Sequence, residues 1–174
     1  MDASSYQPPP ERLQPVLLSL GFALWQTQSL ENTLVHYLVM VHKVPIGTAR
    51  EQVEQVFAAT SKHTLGRLLH DLTGFEGEST DFVDRLGVFL PERNWLVHRS
   101  RHTSHTDLFS AELTQALLER LARVASDALA LMQDIQTALE SALVEVGVTR
   151  EFIDRKSAEI LQEWANAESS ESAS

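Results

Sequence analysis

From Leu113 to Val146, apolar residues recur at steps of three and four without a break: Leu113, Leu117, Leu121, Val124, Ala128, Leu131, Ile135, Leu139, Ala142 and Val146. Residues so spaced share one face of an α-helix and no face of a strand. The spacing predicts a helix over about 110–146, roughly 55 Å long at 1.5 Å per residue. A stripe of that length must be buried against something comparably long. The region from Leu13 to His42 supplies it. One stripe there contains Leu17, Gly21, Leu24, Gln28, Glu31, Val35, Leu38 and His42, and a second contains Leu30, Leu34, Tyr37 and Val41. A helix apolar on two sides is expected to be covered twice, by its own bundle and by a second subunit. The expected fold is all-α, an antiparallel (up-and-down) bundle with two long helices and additional shorter ones.

The shorter elements follow from punctuation. Pro45-Ile46-Gly47 breaks the chain, and Thr48-Ala49-Arg50-Glu51 has the form of a capping box opening a helix to about Phe57. A third helix is expected over Ser61–Leu72, stopped near Gly74, with Gly66 placed for close approach of another helix. After a Gly- and Glu-rich loop, a helix from Ser79 or Thr80 carries Phe82, Leu86, Phe89 and Leu90 to Pro91. Proline has no N–H for the ladder, so a kink or a fresh start is expected there. A restart would put Glu92, Arg93 and Asn94 in a first turn whose free amides favour an anion. Polar residues from Thr103 to Asp107 should form a loop. Gly147 should end the long helix and Thr149 cap a last one with Phe152, Ile153, Ile160, Leu161 and Trp164 on one side. Residues 1–11, with three consecutive prolines, are expected to be a flexible arm, 12–165 one bundle domain, and 166–174 a disordered acidic tail.

At 174 residues the chain can bury a substantial core. It contains no cysteine, which excludes disulfide and thiolate chemistry. No apolar run approaches membrane-spanning length and no signal-peptide pattern opens the chain, so a cytoplasmic protein without membrane contact is expected. The net charge of −10 argues against a general nucleic-acid binder. Yet residues 92–107 hold Arg93, Arg99, Arg101, His98, His102 and His105 against Glu92 and Asp107 alone. Such a patch can hold one phosphate chain locally.

Within that patch lies Pro91-Glu92-Arg93-Asn94-Trp95-Leu96-Val97-His98-Arg99. On a helix Asn94 and His98 are one turn apart on one face. Arg93 and His98 lie about 140° apart around the axis, an angle that the long arginine stem can bridge. A planar cation beside a titratable ring suits phosphate handling. With 11 Arg and 7 His in the chain, the bare pair arises by chance about 0.4 times. Requiring Asn after the Arg lowers that to about 0.01.

Arg93-Asn94-x-x-x-His98 resembles the Arg-x(4–6)-His signature of HEPN domains, all-helical modules of which many are ribonucleases. The resemblance covers the motif, the bundle, and the motif's position late in an inner helix. Pro91 beside the motif departs from it. It implies a metal-independent endoribonuclease, needing no cofactor, in which two copies of the motif face each other across a homodimer cleft. His98 would serve as general acid or base. Arg93 would stabilise charge on the scissile phosphate, and Asn94 would orient His98 or the attacking 2′-hydroxyl. No further residues carry over from the family; the basic patch itself offers Arg99, Arg101 and His102 to RNA, and Glu31, a carboxylate on an apolar stripe, is expected to support Arg93 or Asn94. The toxin of a toxin–antitoxin pair, held by an antitoxin protein, is one context for such an enzyme. The alternative is a non-catalytic helical module for protein interaction or nucleotide binding.

A metal site built on His98, His102 and His105 competes for the same stretch, at spacings of four and three that suit imidazole ligation. No carboxylate or cysteine is in register with it, so no metal is expected. His36, His42, His63 and His70 read as surface or boundary residues. Trp25 and Trp95 read as core, and Trp95 with the Leu30-Leu34-Tyr37-Val41 stripe as the dimer surface.

Overall fold

In the computed structural model, residues 9–75 and 80–171 are described. All of the regular structure among them is helical: α1 (Pro10–Tyr37), α2 (Arg50–Thr60), α3 (Leu65–Leu72), α4 (Thr80–His98), α5 (Ser100–Ser104), α6 (Ala111–Glu145) and α7 (Arg150–Glu171). A π-helical turn (Leu38–Lys43) extends α1, and a 3₁₀ turn (Asp107–Phe109) precedes α6. Among the described residues, no helix is long and apolar enough to cross a membrane.

The chain divides into two compact units, Met1–Gln136 and Thr137–Ser174. In the first, α4 runs antiparallel to α1 and α6. Glu31 and Tyr37 of α1 meet Arg93 and Phe82 of α4, in reversed order. Arg85 and Glu92 of α4 meet Asp134 and Arg120 of α6, also reversed. Leu30, Leu34, Leu38, Leu65, Leu68, Leu86, Leu96, Leu121 and Ile135 form the fully buried centre. The α6 stripe is buried from Leu117 to Ile135, as its spacing requires, while Leu113 and Val146 at its two ends are exposed.

In the second unit, Gly147 turns the chain with φ +86°, a conformation open to glycine. Its N–H and that of Val148 cap the carbonyls of Val144 and Leu143. Thr149 Oγ1 accepts from Phe152 N at 3.2 Å, the expected cap. Phe152 and Leu161 of the expected apolar side are exposed.

Several local expectations are corrected. Pro10 occupies the first turn of α1, the position proline tolerates, so Pro10 and Glu11 are helical; residues 1–8 of the expected arm lie outside the described ones. Residues 166–171 continue α7 instead of forming a tail, since alanine and glutamate propagate a helix already begun; residues 172–174 lie outside the described ones. The capping box is not formed. Pro45-Ile46-Gly47-Thr48 is a turn with Gly47 at φ +86°, and Thr48 Oγ1 donates to Pro45 O at 2.6 Å instead of capping α2. α2 runs on to Thr60 and α3 begins only at Leu65.

The largest correction concerns Pro91. α4 passes through it without a restart, so Arg93 and Asn94 lie mid-helix and offer no first-turn amides. Pro91 is exposed, where the one missing hydrogen bond faces water. Phe82, Leu86 and Phe89 before it and Trp95 and Leu96 after it stay buried along one side. Burial of that continuous stripe outweighs the local cost of the proline.

Candidate functional site

Because α4 is unbroken, Arg93, Asn94 and His98 keep true helical spacing. Arg93 points toward α1, where its Nε donates to Glu31 Oε1 at 2.8 Å. Both side chains are largely buried, 12% and 19% exposed. Arg93 Nη1 lies 3.4 Å from Asn94 Oδ1, a long hydrogen bond. The guanidinium is thus held at Nε by Glu31 and at Nη1 by Asn94. Among the described residues Asn94 has no hydrogen bond to His98; it braces Arg93 instead.

Arg93, Asn94, His98 and Arg99 line one groove with Thr64 and Gly66 at the start of α3, about 540 Å³ in volume. Gly66 faces Leu90 of α4; a Cβ there would sit 3.7 Å from it, an ordinary contact, so the expected close approach exists without requiring glycine.

Helix α4 ends at His98. Arg99 takes φ −127° and ψ −16°, which turns the chain into α5. The turn places Arg101, His102 and His105 around a second shallow groove of about 520 Å³ that also includes His98. His98 therefore stands where two grooves meet, arginines on either side. It is exposed, as are Asn94, Arg99, Arg101 and His102.

Behind the site, Trp95 anchors the turn. Its Nε1 donates to Thr103 Oγ1 at 2.9 Å, and the guanidinium of Arg120 covers its ring at 3.6 Å. Arg120 in turn holds Glu92 through two hydrogen bonds of 2.9 and 3.0 Å. Trp95 is core, as expected; Trp25 is not, with 70% of its surface exposed. The proposed dimer surface is corrected as well. Trp95, Leu30, Leu34 and Tyr37 are buried inside this chain, because α4 and its neighbours already cover that side of α1. The exposed apolar residues of α1 are Leu17, Leu18, Phe22 and Trp25.

The imidazoles of His98, His102 and His105 do not form a metal cluster, and among the described residues no group of three potential ligands does. His105 Nδ1 is instead 2.9 Å from His102 O.

One polar centre escaped sequence reasoning. Asp71 of α3 receives Lys43 Nζ at 2.9 Å and Arg67 Nε at 3.0 Å, with His63 Nδ1 3.3 Å away. Burial raises its carboxyl, but the Lys43 hydrogen bond and the charges of Lys43, Arg67 and His63 outweigh that and hold it below the usual carboxylate range. The cluster fixes α3, and with it Thr64 and Gly66, against the π-helical turn. Only Arg67–Asp71, a four-residue helical spacing, was a readable signal. His42, expected at the surface or boundary, stacks on Phe75 with ring centroids 4.3 Å apart.

Compared with known proteins, the chain matches no family model, no curated protein and no solved structure.

Proposed function

We propose that the chain is a metal-independent endoribonuclease of the HEPN type, acting at His98. The observation that carries this reading is the position of His98 at the junction of two grooves, Arg93 and Arg99 on one side and Arg101 on the other. An RNA strand laid along both grooves passes a cation on each side of the imidazole. The basic track is confined to this strip, which accommodates the net charge of −10.

In the step proposed, the 2′-oxygen forms a bond to phosphorus and the bond from phosphorus to the 5′-oxygen breaks. His98 accepts the 2′-hydroxyl proton or delivers one to the departing 5′-oxygen. Arg93, steadied by Glu31 and Asn94, donates to the phosphoryl oxygens as their charge grows. The products are a 2′,3′-cyclic phosphate and a 5′-hydroxyl.

Two proton transfers call for a second acid–base group, which His98 of a second copy would supply. Gly87, Pro91, Asn94 and His98 lie one above the next on α4 and are all exposed. This narrow face is smooth enough for a second α4 to approach it. Incubating the protein with structured RNA in EDTA, then assaying the product ends, tests the proposal. Cyclic phosphate ends support it; intact RNA at micromolar protein counts against it.

A further inference from the structure

A cavity of about 480 Å³ opens beside the basic strip, walled by Leu13, Val16 and Leu20 of α1, by Leu108 and Phe109 of the 3₁₀ turn, and by Leu117 of α6. Leu17 and Phe109 leave 55% and 47% of their surfaces in water, so the apolar wall is open rather than filled. Its polar rim comes from α5 and the residue after it: Ser100, Arg101 and Ser104, then His105. Among the described residues no carboxylate lines it. The wall is braced from outside the cavity, where Arg12 Nη1 donates to Phe109 O at 2.9 Å.

Volume and lining are those of a small-molecule site, apolar with a few convergent polar groups. We infer that this cavity binds a free anionic amphiphile, a compound with one apolar chain and a single acidic head such as a medium-chain carboxylate. The chain lies against the leucines, and the head meets the Arg101 guanidinium and the His105 ring. Charge complementarity selects this occupant. A neutral chain would leave Arg101 without a counter-charge, and a cationic head would face it directly. Arg101 and His105 also line the groove beside His98, but this inference concerns binding of the amphiphile alone and is tested without RNA.

Titration calorimetry of the full chain with hexanoate, octanoate and decanoate tests it, with decanol and decyltrimethylammonium as head-group controls. Affinity should rise about three- to four-fold per added methylene, as expected for apolar burial. Decanol should bind at least ten-fold more weakly than decanoate, and the cationic amphiphile more weakly still. Leu17→Glu, at an exposed wall position that leaves the core untouched, should cost at least ten-fold in decanoate affinity. Arg101→Gln should remove the preference for decanoate over decanol. Absence of decanoate binding at millimolar concentration, equal binding of decanoate and decanol, or unchanged binding in Leu17→Glu would each overturn the inference.

Discussion

Glu31 of α1 and Arg93 of α4, 62 positions apart in sequence, form an ion pair 2.8 Å long and mostly withdrawn from water. It is a charged link between the long N-terminal helix and the motif. A carboxylate on an apolar stripe is costly unless a partner satisfies it, and here the partner is the motif arginine. The pair fixes the Nε edge of Arg93 and thereby aims its remaining donors.

Replacing Glu31 by Gln keeps the shape and removes the counter-charge. We expect a stability loss of about 1–3 kcal/mol, read as a lower thermal midpoint. RNA cleavage should fall more steeply than the folded fraction does, since Arg93 loses its anchor. Unchanged midpoint and unchanged cleavage together would show that the pair is incidental.

Arg120→Met tests the layer behind the site. It retains an apolar side chain beside the Trp95 ring but loses the cation and both bonds to Glu92. Both partners are more than a third exposed, so the ion pair itself contributes little. We expect a loss of about 1 kcal/mol, mainly from the cation–ring contact, measured by urea denaturation. A variant as stable as wild type would remove this contact from the account.

Asp71 predicts an acid-sensitive element. Its folded carboxyl sits below the ordinary range, so its stabilisation is fully present above the unfolded-state value and is lost as pH falls through the folded one. The thermal midpoint of wild type should therefore fall between about pH 5 and pH 2 more than that of Asp71→Asn does. Parallel midpoint curves for the two proteins would contradict the assignment.

Gly87→Arg tests the pairing of two copies. A Cβ added at exposed Gly87 meets nothing within 4 Å in this chain, and arginine is a better helix former than glycine, so the fold should hold. Wild type should sediment near twice 19.5 kDa and the variant at the single-chain mass, with cleavage reduced. A wild-type monomer, or a variant dimer with full activity, would count against a shared α4 face.

The helical class and the long α6 were legible because each rests on periodicity, which survives folding unchanged. Gly147 and Thr149 were legible as local cap residues. Periodicity showed that Glu31 needed a partner, with Arg93 or Asn94 the candidates, and the fold brought Arg93 to it. What escaped depended on contacts remote in sequence. Nothing near Trp95 announces Arg120, and nothing near Lys43 announces Asp71. Pro91 misled because local backbone chemistry argues for a break, while the buried residues on both sides of it hold the helix straight through. Of the two stripes read on α1, Val35 and Leu38 of the first and Leu30, Leu34 and Tyr37 of the second are all buried, whereas Leu18, Phe22 and Trp25, which remain outside, lie on neither stripe.

The most direct test of the central claim is the initial rate of RNA cleavage by purified wild type and His98→Ala, both in EDTA. His98 is exposed at the end of α4, so the variant should keep the wild-type circular dichroism spectrum and thermal midpoint. Loss of a positioned acid–base group predicts a rate lower by about 10²–10⁴. Cleavage by His98→Ala at the wild-type rate would contradict the account.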